Sequence, residues 1–174
     1  MKKEIRSLLK MRAVAMAIEP EQKRDTSTIT EIVEFTIAAE SYGIESSFVR
    51  EVYPLKDFTP LPGVPSFILG IVNIRGQILP VIDLKKFFNL PFKGLGELNK
   101  MIILHNDLME FGVLADEVIG TKKIFVDEIL PVPSAIAGIG ERYLKGVTKD
   151  RLIIFSAEVL LSDKGIVVDE QVTY

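Results

Sequence analysis

The sequence predicts a mainly β protein made of two small five-stranded barrels related by pseudo-two-fold symmetry, with short helices and an N-terminal helical extension. Three observations lead there. From Glu31 onward, short apolar, β-branched and aromatic runs are punctuated by Gly and Pro, the pattern of short strands joined by tight turns. Helical patches in the same region are few. The order of motifs in one half of the chain recurs in the other at a spacing of about 70 residues, which an internal duplication explains.

Taken in order, residues 3–18 are good helix formers without Gly or Pro, and Pro20 stops the pattern. Ile5, Leu8, Leu9, Arg12 and Met16 fall near one helical face, so this helix either docks on its own domain or binds a partner. A polar linker follows to Thr30. Strands are expected at 31–37, 42–53, 68–74, 77–83, 100–105, 110–119, 143–148 and 151–156. Helical turns are expected at 84–88, near 134–138 and at 158–161. The domain then spans 31–165, with barrel one at about 31–90, barrel two at about 99–161, and a polar tail from 166 to 174.

The duplication is visible residue by residue. Tyr42-Gly43-Ile44, Glu51-Val52, Leu61-Pro62 and Phe67-Ile68-Leu69-Gly70-Ile71 lead into an apolar strand ending near Leu84. Phe111-Gly112-Val113, Glu117-Val118, Pro131-Val132-Pro133 and Tyr143-Leu144-Lys145-Gly146-Val147 lead into Leu152–Phe155. Gly43, Gly70, Gly112 and Gly146 sit inside strand patterns, where Gly weakens a strand unless a corner, bulge or close approach requires it. Residues 67–84 form a hairpin about Asn73-Ile74-Arg75-Gly76, with Gly76 supplying positive φ. Pro80 marks the second strand as an edge or as bulged, since Pro donates nothing to a ladder.

The string FILGIVNIRGQILPVIDL resembles the pattern of CheW-like domains through Phe67, Gly70, Asn73, Ile74, Arg75, Gly76, Pro80, Val81, Ile82, Asp83 and Leu84. Phe35, Tyr42-Gly43-Ile44, Val49, Glu51-Val52 and Leu61-Pro62 fit upstream. Phe111-Gly112-Val113, Asp116, Val118, Pro131, Pro133 and Tyr143 to Gly146 follow downstream. The resemblance covers about 31–161. It implies two SH3-like barrels packed around a shared apolar centre, and a non-catalytic adaptor coupling methyl-accepting chemoreceptors to the chemotaxis histidine kinase. The implied partners are the chemoreceptor cytoplasmic tip, the kinase regulatory domain and further couplers in an array recruited to the membrane. The implied receptor groove holds Val49, Glu51 and Val52, with Arg75 and Gly112 nearby; Phe58 would face the kinase. Ser46-Ser47 departs from the family pattern, which has aliphatic residues there, and the leader before residue 31 has no counterpart in it.

Composition narrows the remaining function classes. Apolar residues make up 48% of the 174, too many for a largely disordered chain. Lys and Arg number 21 against 24 acidic residues, with no basic stripe of the kind nucleic acid requires. No Cys is present, so disulfides, thiolate metal sites and cysteine nucleophiles are excluded, as fits a reducing cytoplasm. The apolar run Ala13–Ile18 is far short of the roughly 20 residues that span a bilayer, so no direct membrane insertion is expected.

The single histidine, His105, ends an apolar strand with no second His or Cys to complete a metal site. The Gly-x-Gly segments at 94–96 and 138–140 lack the rest of any phosphate-binding motif. No spacing singles out an acid–base pair. No catalytic residue, metal or cofactor is expected. The rival from another class is a small-molecule-binding double barrel that uses the cleft between its barrels.

Overall fold

A computed structural model of the chain describes residues 28–90, 99–134 and 140–166. The expected N-terminal helix, the Gly-x-Gly at 94–96, most of the turn near 134–138 and the end of the tail lie outside these residues. The elements run β1 (Ile29–Ile37), β2 (Glu40–Glu45), β3 (Val49–Pro54), β4 (Ile68–Ile74), β5 (Gln77–Ile82), α1 (Leu84–Phe87), β6 (Lys100–His105), β7 (Glu110–Ala115), β8 (Glu117–Phe125), β9 (Leu144–Val147), β10 (Ile153–Phe155) and α2 (Ala157–Ser162). They form a five-stranded sheet of order β8-β1-β2-β10-β9 and another of order β3-β6-β7-β5-β4. We call these barrel I and barrel II.

Each sheet is drawn round on itself by one bridge. Thr59, beyond β3, exchanges both backbone hydrogen bonds with Ile71 of β4 at 2.8 and 2.9 Å. Leu130, beyond β8, does the same with Val147 of β9, both at 2.9 Å. The two closures occupy equivalent places in the two repeats. In each repeat the strand before the closing helix also runs parallel to a hairpin strand of the other: β10 beside β2, and β5 beside β7. Asp83 and Ser156 then cap α1 and α2 by accepting from the amides of Lys85 and Val159.

The repeats follow the chain, but the barrels do not. Barrel II is the continuous stretch from β3 to β7, whereas barrel I joins the β1–β2 hairpin to β8, β9 and β10. The expected division into 31–90 and 99–161 is therefore corrected. Each repeat gives its first hairpin to the barrel that holds the last three strands of the other. The cause lies where the sequence suggested unbroken strands. The run 42–53 is split by a 3-10 turn at Ser46–Phe48, and 110–119 is split at Asp116, and at both points the chain crosses between barrels. Asp116 fixes its crossing by donating its amide to the Thr36 carbonyl at 2.9 Å. Its carboxylate accepts from the Ala38 amide at 2.9 Å and pairs with Lys85.

Three apolar cores follow from strand alternation. Val72, Leu79, Val81, Met101, Ile103 and Leu114 fill barrel II. Ile32, Ile124, Leu152 and Ile154 fill barrel I. The largest cluster lies between the barrels and takes Phe35, Tyr42, Ile82, Ile102, Leu104, Phe111, Ile153 and Phe155, together with Leu160 of α2. Along β6 the side chains alternate, Met101 and Ile103 into the barrel, Ile102 and Leu104 into the shared core. A strand covered on both faces reads as the continuous run MIIL. Ile166, expected to begin a loose tail, is 4% exposed and belongs to the shared core.

Pro80 lies in neither an edge strand nor a bulge of its own strand. β5 stands between β4 and β7, and its parallel pairing with β7 begins only at Val81, so no ladder donor is lost at Pro80. The irregularity falls on the partner strand, between Ile68 and Gly70. The β4–β5 turn has φ of 52° at Arg75 and 86° at Gly76, and Asn73 Oδ1 accepts from the Gly76 amide at 2.8 Å. Two positive φ values in a two-residue loop match the right-handed strand twist.

The β1–β2 turn makes the same bend with two alanines, φ 53° at Ala38 and 69° at Ala39. A side chain in this region costs on the order of 1 kcal/mol. Ala39→Gly is therefore expected to stabilise the protein by about 1 kcal/mol, read as a higher urea midpoint at unchanged slope. No gain would mean that the turn carries no strain.

Tyr42, 6% exposed in the shared core, has its phenol pushed up to about 12 by burial, with the Glu40 charge adding to the effect. A raised acid pKa gives stability that is complete below the unfolded value near 10 and is lost as pH rises towards the folded one. Wild type should thus lose about 1 kcal/mol more than Tyr42→Phe between pH 8 and pH 11. Parallel urea titrations of the two proteins at both pH values test this, and equal losses would contradict it.

Candidate functional site

One end of barrel II carries the concentration of side chains suited to recognition. Three elements meet there: the start of β3, the β4–β5 turn and the start of β7. A register shift between Val49 and Glu51 leaves Arg50 as the extra residue opposite β6. Such a bulge re-aims a side chain without breaking the strand. Arg50 donates to Glu110 at 2.5 Å and to the Gln77 side-chain oxygen at 3.3 Å. The Gln77 amide donates to the other Glu110 oxygen at 2.6 Å. Beside this triangle Arg75 pairs with Glu51 at 3.5 Å, and its guanidinium lies 5.8 Å from the centre of the Tyr53 ring.

These groups rim a depression of about 410 Å³ whose floor is Leu79, Ile103 and Ile74. The floor is the outward end of the barrel II core. Arg75 and Arg50 side chains are 76% and 47% exposed, so each ion pair contributes at most about 1 kcal/mol. What the network supplies is placement. Two cations and two anions are held around a mouth whose apolar floor is largely covered, Leu79 and Ile103 being buried and Ile74 half-buried. Among the described residues no group of three or more His, Cys, Asp or Glu side chains could hold a metal ion.

The sequence-predicted site residues divide accordingly. Glu51 and Arg75 are brought together. Val49 is half-buried and packs against the shared core, while Val52, on the opposite face of β3 from Glu51, is 39% exposed. Gly112 is buried within β7, where an added Cβ would overlap the Met101 sulfur; it does not line the depression. Phe58 is half-buried and packs on the barrel II core with Tyr53 and Leu55, so much of its surface is already used within the fold. The depression also lies at a barrel mouth rather than between barrels, because the space between them is filled by the shared core.

Arg50, Gln77 and Glu110 escaped sequence reasoning. Their separation along the chain gave no signal, since the parallel pairing of β5 with β7 creates their proximity. Leu108 was missed as well. It is 95% exposed at the β6–β7 turn, where Asn106 Oδ1 accepts from the amides of Leu108 and Met109 at 2.9 and 2.7 Å.

The geometry describes a charged, ordered mouth on a doubled barrel, and comparison with known proteins places that fold. The family described as CheW-like domain matches residues 31–165. The chain belongs to the CheW-like family. Among its relatives is the chemotaxis protein CheW of Treponema pallidum (strain Nichols), 30% identical over 160 residues, which cover 88% of this chain and 90% of the relative. Protein FrzA of Myxococcus xanthus is 35% identical over 122 residues, covering 70% and 71%. The crystal structure of the scaffolding protein TtCheW from Thermoanaerobacter tengcongensis superposes with a TM-score of 0.69 at 33% identity, covering 78% of this chain and 94% of that one.

The CheW-like match begins where barrel I begins and ends just past α2, so it takes in both barrels and the exchanged hairpins. In this CheW-like chain the β4–β5 hairpin places Arg75 over Tyr53, and the residues around it in sequence are those that carried the family pattern. Among the described residues no helix is long and apolar enough to cross a membrane.

Proposed function

We propose that this chain is a non-catalytic coupler that holds the cytoplasmic tip of methyl-accepting chemoreceptors against the regulatory domain of the chemotaxis histidine kinase, in the bacterial cytoplasm beneath membrane-bound receptor arrays. The observation that carries this reading is the barrel II mouth, an apolar floor ringed by Glu51–Arg75 and Arg50–Glu110, in a chain with CheW-like sequence across both barrels. A helical receptor tip would lay an apolar side chain against Ile74, the floor residue that is not buried, and set its register against the paired charges. Val52, exposed on the other face of β3, would extend the receptor contact, the uncovered part of Phe58 would meet the kinase domain, and further couplers would join the same array.

Isothermal titration against a receptor cytoplasmic fragment and, separately, the kinase regulatory domain tests the proposal. Glu51→Arg or Arg75→Glu alone should weaken receptor binding about tenfold, and the double reversal should recover most of it. Kinase binding should change little. Phe58→Asp should do the opposite, provided its melting curve shows a folded protein. Binding of neither partner by the wild type, together with saturable uptake of a metabolite, would replace the coupler with a small-molecule-binding barrel.

A further inference from the structure

The β1–β2 hairpin is joined to the rest of its barrel only through space. Its strand partners are β8, paired from Ile29↔Phe125 to Thr36↔Glu117, and β10, paired at Tyr42↔Ile153 and Gly43↔Ile154. All of them lie beyond barrel II in the chain. The only covalent tie is the turn Ser46–Phe48, in which no residue is buried and no side chain caps the helix. Glu45 and Val49, flanking it, are already extended, with φ/ψ of −60°/129° and −96°/117°. Opening three residues would run β2 straight into β3, the unbroken strand 42–53 that the local sequence favours. Local preference and the closed fold therefore disagree at Ser46-Ser47, and a conflict of this kind weakens the bias towards a single packing.

We propose that two copies of this chain exchange their β1–β2 hairpins about Ser46–Phe48, giving a dimer in which each barrel I is built from both chains. Every strand pair and core contact of barrel I is reproduced in trans, since the incoming hairpin is identical to the one it replaces. The chain already performs this exchange internally, each repeat lending its hairpin to the other. The balance is set by effective concentration, which for a short tether is in the millimolar range. The monomer therefore dominates in dilute solution, and the dimer forms when chains fold together at high concentration. Barrel II is untouched, so the dimer presents two complete barrel II mouths. The inference does not depend on what those mouths bind.

The absence of Cys makes the test direct. Glu31 and Lys123 face each other across β1 and β8 and both are exposed. Opposed strand residues lie within disulfide reach. Full-length Glu31→Cys and Lys123→Cys proteins are mixed, unfolded, refolded together at about 10 µM or about 1 mM, oxidised, and separated on a non-reducing gel. Exchange predicts a crosslinked heterodimer at least tenfold more abundant at the higher concentration.

Inserting Gly-Gly between Ser46 and Ser47 should lower that yield severalfold, because a longer hinge eases the reversal. A yield unchanged by the insertion would overturn the assigned hinge. The exchange itself fails if no crosslink forms at 1 mM while the two cysteines in one chain close fully. It fails equally if a mispaired control, Asp107→Cys with Lys123→Cys, crosslinks as well as the matched pair.

Discussion

Gly70→Ala and Gly146→Ala are each expected to destabilise the protein by about 3 kcal/mol or more, among the largest effects of any single methyl group added to this chain. At Gly70 an added Cβ would overlap the carbonyl oxygen of Thr59, and at Gly146 that of Leu130. Both oxygens are backbone, and both accept the hydrogen bonds that close their barrels, from Ile71 and from Val147. The clash is not relieved by turning a side chain. Either the closing bridge opens, giving up both of its hydrogen bonds, or the strand shifts.

The two remaining paired glycines calibrate the claim. At Gly43 an added Cβ would come within 2.9 Å of the terminal carbons of Ile154 and Ile32, and at Gly112 it would meet the flexible Met101 side chain. Those neighbours can move, so Gly43→Ala and Gly112→Ala should cost roughly 1–2 kcal/mol. Urea unfolding of the four variants reads the ordering. A Gly70→Ala protein within 1 kcal/mol of wild type would show that the closing bridge is not a stabilising feature.

Phe155→Ala should lower stability by about 4 kcal/mol and do so for both barrels at once. Phe155 is 2% exposed. Its ring stacks 5.0 Å from Tyr42, 5.6 Å from Phe88 and 6.3 Å from Phe35, so it touches both repeats and the helix-bearing corner between them. Removing it leaves a cavity in the core that the barrels share, which rigid strands on either side cannot collapse to fill. Native-state hydrogen exchange gives the sharper reading. Amides of β6 in barrel II should lose protection in parallel with those of β10 in barrel I. Barrel II amides that kept wild-type protection while barrel I opened would show two independently stable barrels, contrary to the shared core.

Much of the architecture was legible because it is written in local periodicity. Strand positions, the hairpin at Asn73–Gly76 and the duplication all follow from alternation, turn residues and repeated order. The paired glycines also announced themselves, since a residue so costly inside a strand needs a reason, and at Gly70 and Gly146 that reason is the oxygen of the closing bridge. Glu51 and Arg75 came from the resemblance to a family rather than from spacing, and the structure brings them into contact. Arg50, Gln77 and Glu110 carry no mark in the sequence. Each is an ordinary polar residue near a strand end, and only the bulge in β3 and the parallel pairing of β5 with β7 make them one network.

The sequence alone determined that this is a doubled set of short strands with enough apolar surface for a core. Side-chain alternation and turn chemistry act between near neighbours in the chain, so a single string suffices to read them. The tertiary structure decided which strands share a barrel. Ser46–Phe48 and Asp116 interrupt runs that are locally good strands, and at Asp116 hydrogen bonds with distant partners, to the Thr36 carbonyl and from the Ala38 amide, hold the crossing there. Long-range pairing is a competition among alternatives of similar local merit, settled by the closure of both barrels around one shared core.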